Sequence, residues 1–386
     1  MSVEVRPRGD ACNLKCTYCY QERAREERRH ERGGDTDAMI AALDRLDEPF
    51  TLFGGEVLLT RRADLERLLA FGFERYGGSG LQTNATLVTE ADLATFARYN
   101  VRLGVSIDGP GELNDARIAG NPARTRSATA ATEAVIERLC REGKPPSIIV
   151  TLHALNVRGD RLDVLCRWLR DLDRKGVRRV RLHVLQVDGS EAARLALSPE
   201  ESLAALRHLR DLERELSAIR FDLFDEIASL LQGDDSRASC AFHACDPFST
   251  RAVVSVEADG ALANCGRVNK EGTANGRAAV RSFDRQIALF ATPQEEGGCA
   301  GCRFFLMCKG NCPGTAIAGD WRLRSADCPT WFALFADAEA ALMAQGVDVL
   351  SRSPHRGATE AAMIAAWTQH DDPPLAEIRG RCSGEA

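Results

Sequence analysis

Residues 11–20 read Ala11-Cys12-Asn13-Leu14-Lys15-Cys16-Thr17-Tyr18-Cys19-Tyr20. The cysteines are spaced CxxxCxxC and follow a short apolar strand at Val3–Val5. Three thiolates on one tight loop can hold three corners of a [4Fe–4S] cube and leave the fourth iron without a protein ligand. An open coordination position is what a metal centre needs to act on a bound molecule. A zinc site completed by a distant ligand is the alternative that this spacing leaves open.

Outward from that loop, the chain alternates short apolar runs with amphipathic stretches. Strands are expected at Val3–Val5, Phe50–Phe53, Gly80–Thr83, Val101–Ile107, Ile148–Leu152 and Val180–Leu185. Helical patterns fill 37–47, 62–76, 89–98, 126–142 and 159–175, and Thr89 with Asp92 forms a capping-box start. This rhythm predicts a parallel sheet with helices outside. Six units are too few to close an eight-stranded barrel, so the fold class is α/β, a partial (β/α)6 TIM-like barrel with its site at the C-terminal strand ends. Residues 198–232 read as bridging helix.

Polar and glycine-rich segments close the second, third and fourth strands in order. They are Phe53-Gly54-Gly55-Glu56, Gln82-Thr83-Asn84-Ala85-Thr86-Leu87 and Val105-Ser106-Ile107-Asp108-Gly109-Pro110. Small residues let backbone approach a ligand, and a carboxylate complements an ammonium. With the CxxxCxxC loop, these segments make the first 220 or so residues resemble the radical S-adenosylmethionine (SAM) superfamily. That resemblance implies a cube whose open iron chelates SAM and releases a 5′-deoxyadenosyl radical. It assigns Gly54, Gly55 and Glu56 to the SAM amino group, Ser106 and Arg117 to its carboxylate, and Tyr18 to the side of the adenine. Asn84 and Asp108 would line the same cleft. No catalytic acid or base is assigned.

From Cys240 to Cys328 the cysteines become dense and helical periodicity fades. Arg251–Glu257 and Ala261–Cys265 flank Ala258-Asp259-Gly260, a hairpin signal. Cys245, Gly260 and Cys265 read C-x14-G-x4-C, and Cys299, Cys302, Cys308 and Cys312 read C-x2-C-x5-C-x3-C, with Cys328 beyond. Zinc-ribbon-like structural sites are one reading. The pattern resembles the SPASM domain of radical SAM maturases, with Cys240 as an eighth thiol. The resemblance implies two auxiliary [4Fe–4S] clusters, making three in all. Cys240, Cys245, Cys265 and Cys312 would hold one, with Cys240 the least secure ligand, and Cys299, Cys302, Cys308 and Cys328 the other. The expected domains are a radical SAM core over 1–225, an auxiliary domain over 226–345 and a tail over 346–386 carrying one helix near 358–368.

Hydrophobic residues make up 44% and charged residues 27% of the 386, and the formal net charge is −6. Nucleic-acid binding is not indicated, since it shows as a basic surplus. No apolar run is long enough for a membrane span and no signal-peptide core opens the chain, so the expectation is a cytoplasmic protein. Fourteen cysteines in a reducing compartment then read as metal ligands rather than disulfides. Cys140, Cys166 and Cys382 stand outside every motif. Residues 22–32 mix both signs of charge and suit a solvated face, a lid or a peptide-docking segment.

The resemblance implies a radical SAM oxidoreductase acting on a peptide or protein, fed by a flavodoxin or ferredoxin as low-potential donor. The first expectation is a maturase that cross-links or oxidises a residue of a ribosomally made peptide, with a separate precursor-binding protein as a further candidate partner. The alternatives are anaerobic sulfatase maturation, which makes formylglycine, and dehydrogenation of a small molecule. Sulfatase maturases carry an Asp directly after the cysteine equivalent to Cys265, where this chain has Gly266 and Arg267. A non-catalytic zinc or iron–sulfur scaffold is the reading from another class.

Overall fold

The computed structural model describes residues 2–21, 34–250, 252–268 and 281–383. The charged stretch 22–32 and Arg251 lie outside the described residues. Packing divides the chain into two units, Met1–Asp222 with Val254–Asn275, and Leu223–Val253 with Gly276–Ala386.

The first unit is built on one open sheet. Its strands are β1 (Ser2–Val5), β3 (Phe50–Leu52), β4 (Gly80–Thr83), β5 (Arg102–Ser106), β7 (Ser147–Leu152), β8 (Arg179–Val184), β9 (Arg220–Phe221), β10 (Val253–Val256) and β11 (Leu262–Ala263). A separate small sheet pairs β2 (Lys15–Cys16) with β6 (Arg117–Ile118). The main order is β11-β10-β1-β3-β4-β5-β7-β8-β9, so the two ends stay apart as edges and no barrel closes. All six expected strands are present, and their neighbours pair in parallel. The short β9 adds a seventh parallel strand, dividing the expected 198–232 helix into Pro199–Glu213 and Asp222–Leu231.

Side chains alternate along each strand. Val3, Val5, Phe50, Leu52 and Leu81 pack with Met39, Leu43, Leu65, Leu68 and Leu69 into one buried cluster. The helices supplying those partners, Thr36–Leu46 and Arg62–Tyr76, end in left-handed caps at Asp47 and Gly77. The other face of the sheet carries Glu4, Thr51, Gln82, Gly104, Ser106, Ile149, Thr151, Arg181 and His183, mostly polar, and it is this face that builds the site.

The hairpin β10–β11 forms as its turn residues suggest, but it joins the first unit rather than the cysteine-rich one. Arg6 N–H donates to the Val256 carbonyl at 2.9 Å, and Val256 enters the first core. The unpaired edge of β1 is satisfied by the later strand.

The second unit packs on aromatic side chains. Phe242 and Phe304 flank Phe335 at ring separations of 5.7 and 5.4 Å, and Phe283 stacks on Trp367 at 5.7 Å. Trp367 comes from the helix Arg356–Thr368, so the expected tail is part of this unit's core, and a further helix, Leu375–Ser383, follows it. No helix among the described residues is long and apolar enough to cross a membrane.

Candidate functional site

The cysteine loop is held from three sides. Cys16 faces Arg117 in the β2–β6 pair, and Thr17 N–H donates to the Ala116 carbonyl at 2.8 Å. At the end of β4, Asn84 Nδ2 donates to Asn13 Oδ1 at 2.9 Å and lies 3.9 Å from Cys12 Sγ. From the end of β3, Gly55 N–H donates to the Gly9 carbonyl at 2.9 Å and Glu56 N–H to the Ala11 carbonyl at 2.7 Å. Glycine is required in that approach. A Cβ on Gly55 would stand 2.1 Å from the Ala11 carbonyl oxygen, and Gly54 has φ +127° with a Cβ position 2.6 Å from Gly9 O.

A cavity opens between this loop and the polar face of the sheet. Cys12, Cys16, Cys19, Tyr18, Gly54, Gly55, Asn84, Ser106 and Arg117 line it, together with Tyr20, Gln82, Thr151, His183, Gln186 and Arg267. Strand register explains the second group. Gln82 faces Gly104, Ser106 faces Ile149, and Thr151 faces His183. Side chains that share a face in adjacent parallel strands line one wall. Gln82 Nε2 donates to Ser106 Oγ at 2.7 Å.

Behind the wall sits Asp108, with 0% exposure. It accepts from Arg117 Nη2 at 3.0 Å, Thr151 N–H at 3.0 Å and Tyr18 OH, and lies 3.3 Å from His153 Nε2. Leu155 N–H donates to His153 Nδ1 at 3.2 Å, so Nε2 carries the proton given to Asp108. Burial alone would raise the Asp108 carboxyl, but Arg117 and His153 reverse this and hold it well below the usual carboxylate range. Arg117 lies over the Tyr18 ring at 5.7 Å, and its buried Nε has no hydrogen-bond partner.

Neither Glu56 nor Asp108 lines the cavity. Glu56 is 1% exposed and accepts from Leu58 N–H at 3.0 Å, Thr83 Oγ1 at 2.7 Å and Asn84 N–H at 2.9 Å. Its carboxylate is used in joining the ends of β3 and β4. His153, His183, Tyr20 and Gln186 were not singled out from sequence, and Arg267 was noted only as a departure after Cys265. The alternation in Val180-Arg181-Leu182-His183 is the signal that finds His183, because Val180 and Leu182 take the buried face.

The residues present suit a sulfonium nucleoside and a cube. Gly54 and Gly55, packed against the cysteine loop, present backbone without side chains to the cavity, the Arg117 Nε is a buried donor with no protein partner, and three thiols share one rim. Leu14 N–H points to Cys12 Sγ at 3.4 Å, as donors to cluster sulfur do. Burial pushes the Cys16 thiol up to about 12, with Arg117 opposing; a coordinated metal deprotonates such a thiol outright. Among the described residues no group of three His, Cys, Asp or Glu is close enough for a single ion.

In the second unit, burial pushes the Cys308 thiol well above its ordinary value, and Cys299, Cys328 and Cys302 add to the rise. These four thiols therefore form one electrostatic group. Arg285, 3% exposed, donates to the carbonyls of Cys245 at 3.1 Å and Asn311 at 3.3 Å, drawing together the loops of Cys245 and Cys312. Cys240 is exposed. Cys265 belongs to the first unit.

Residues 7–165 match the Radical SAM superfamily. The serine-type anaerobic sulfatase-maturating enzyme of Bacteroides thetaiotaomicron is 34% identical over 128 residues, 29% of this chain and 30% of that protein. The cysteine-type enzyme of Clostridium perfringens is 28% identical over 130 residues, 30% of this chain and 35% of that protein. The matched regions thus span about a third of these curated relatives. The solved structure of anSMEcpe with bound AdoMet and the Cp18Cys peptide aligns over 89% of this chain and 97% of that one, with a TM-score of 0.66 at 20% identity. The chain therefore carries a radical SAM domain over residues 7–165 and shares the fold of the anaerobic sulfatase-maturating enzyme structures.

Proposed function

We propose that the chain is an iron–sulfur oxidoreductase that uses SAM to oxidise a residue of a peptide or protein, with conversion of a cysteine or serine to an aldehyde as the reaction. The observation that carries this is the pairing of the glycine-cradled, three-thiol cavity with relatives named as serine- and cysteine-type sulfatase-maturating enzymes. Those relatives favour this reading over the peptide cross-linking that the sequence alone put first.

When bound, the cluster and SAM supply a radical able to take a hydrogen atom from unactivated carbon. The chain's own residues do the rest. Cys12, Cys16 and Cys19 would hold the cube. Gly54 and Gly55 would offer backbone to the cofactor, Arg117 with Ser106 would receive its carboxylate, and Tyr18 would lie on the side of the base. Leu14, Phe53 and Ile149 supply the apolar part of the cavity lining. Cys240, Cys245, Cys265 and Cys312, and separately Cys299, Cys302, Cys308 and Cys328, would hold two further cubes. A flavodoxin or ferredoxin would supply electrons.

The test is anaerobic incubation of the reconstituted chain with SAM, a reductant and synthetic peptides carrying a central cysteine or serine. Aldehyde and 5′-deoxyadenosine appearing together is the expected result; deoxyadenosine formed at a rate indifferent to every peptide overturns the reading. Gly266 and Arg267 after Cys265 favour a second reading, cross-linking within a ribosomally made peptide, because the acidic residue of sulfatase maturases is missing there. Peptide that loses two hydrogens and gains an internal bond, with no aldehyde, would select it.

A further inference from the structure

We infer that His183 is the base that takes the proton from the substrate's sulfur or oxygen in this oxidation. The inference rests on the peptide-oxidation reading above.

The chemistry sets the requirement. A residue –CβH2–XH, with X sulfur or oxygen, first gives a hydrogen atom from Cβ to the adenosyl radical, which becomes deoxyadenosine. To form C=X, the remaining carbon radical must then release one proton from X–H and one electron. The electron passes to a one-electron acceptor of the oxidised iron–sulfur class. The proton needs a lone pair within reach of the cavity. A thioaldehyde formed when X is sulfur exchanges with water to give the aldehyde and hydrogen sulfide.

The described lining offers few choices. No Asp or Glu is among its residues. Three carboxylates stand behind the lining: Asp108 is committed to Arg117, His153, Tyr18 and Thr151 N–H, Glu56 to Leu58, Thr83 and Asn84, and Glu4, opposite Thr51 on β1, faces Arg6 and Arg267 without entering the cavity. The phenol oxygens of Tyr18 and Tyr20 are far poorer proton acceptors than an imidazole nitrogen, and the Tyr18 O–H is already given to Asp108. Arg117 and Arg267 have no lone pair to offer. The cysteines are the cluster ligands of the reading.

His183 meets the need. It stands on β8 opposite Thr151 and lines the cavity. Its ring makes no hydrogen bond with any described residue, so both nitrogens remain available to a ligand, unlike those of His153. The charged groups that act on it are Arg267, Arg181 and Arg117, with Asp108 opposing. Burial first, and then these guanidinium groups, push the imidazole down to about 3, so one nitrogen carries a lone pair throughout the neutral range. A weak base suffices where the electron leaves with or before the proton, because the protonated C=X group so formed is a far stronger acid than an imidazolium. The same cations favour expelling the proton again once the product has left.

The test uses the reconstituted chain, SAM, a reductant and the cysteine peptide, in wild type, His183→Gln and His183→Ala. Iron content and circular dichroism confirm folding, and His183→Asn replaces any variant that fails them. The ratio of aldehyde to deoxyadenosine should fall about 100-fold in His183→Gln. Freeze-quenched samples should then show a carbon-centred radical by electron paramagnetic resonance, split by 13C placed at Cβ. Added imidazole should restore aldehyde in His183→Ala. An unchanged ratio with no accumulated radical in the variants, while wild type makes aldehyde, removes His183 from this role. Wild type that makes no aldehyde from any peptide overturns the underlying reading, and the inference with it.

Discussion

Asp108, fully buried, collects a guanidinium, an imidazole N–H, a phenol and a backbone N–H. Such a carboxylate is a structural hub whose value lies in what it orients. It fixes Arg117 against Tyr18 and opposite Cys16, and so ties the cluster loop to the ends of β5 and β7. Asp108→Asn keeps the shape and removes the charge, leaving Arg117 buried without its counter-ion. Removing one partner of a buried pair costs about 3–5 kcal/mol. The expected result is a loss of that order in the denaturant stability of the first unit, together with weaker SAM binding in equilibrium dialysis. A variant as stable as wild type would show that the hub contributes nothing. Gly55 is decisive for a different reason. Its Cβ position lies 2.1 Å from a carbonyl oxygen of the cysteine loop, and backbone cannot yield as a flexible side chain does. Gly55→Ala should therefore displace residues 9–11, at a cost of about 1–3 kcal/mol. The reconstituted protein should lose about a third of its iron if three cubes are present. Iron analysis per chain, set against wild type, measures it.

At the scale of elements, the turn into β9 depends on one carboxylate. Asp173, near the end of the helix Arg161–Arg174, accepts from Ser217 N–H at 3.1 Å, Ala218 N–H at 2.7 Å and Ile219 N–H at 2.8 Å. Burial works to raise its carboxyl, but these N–H groups prevail and hold it at about 2, against an ordinary 3.8. A carboxyl held lower in the folded state stabilises fully above its unfolded value and loses that contribution as pH falls through the folded one. Asp173→Ala should cost about 2–4 kcal/mol near neutrality, since buried donors are left unmet. The difference from wild type should shrink as pH drops from about 4 to about 2, read by urea unfolding at each pH. The same region marks what sequence conceals. Six strands were legible because short apolar runs recur between amphipathic helical stretches, and the helix starts were legible because caps such as Thr89 with Asp92 are local. Arg220–Phe221 is too short to show any alternation between two helical stretches. Leu262–Ala263 was readable as half of a hairpin, but nothing local says that its partner strand would bond to β1. The cysteine loop was legible for the opposite reason, its three ligands lying within eight residues. His153 and His183 were not, being single residues whose meaning comes from strand register and from Asp108, forty-five residues before His153.

Over the whole molecule, the distribution of thiols implies unequal dependence on metal. The first unit holds its sheet and apolar core without help from Cys12, Cys16 and Cys19, which sit on a loop at the strand ends. The stretch 292–328 of the second unit has short turns and single-turn helices in place of long elements, with Cys299, Cys302, Cys308 and Cys328 buried or half-buried within it. Ligand binding supplies folding free energy most where the apolar core supplies least. On the proposed assignment, reconstitution with iron and sulfide gives about twelve irons per chain. Replacing Cys12, Cys16 and Cys19 by alanine should lower this to about eight and leave hydrogen exchange in the second unit unchanged. Replacing Cys299 and Cys308 by serine should also remove about four irons, but now with loss of exchange protection over 299–328. The two deletions remove equal amounts of metal, so a difference in protection isolates the structural role from the catalytic one. Equal protection in both variants would mean that the aromatic contacts around Phe304, Phe335 and Trp367 hold the second unit unaided, and zinc recovered in place of iron would overturn the cluster assignment itself.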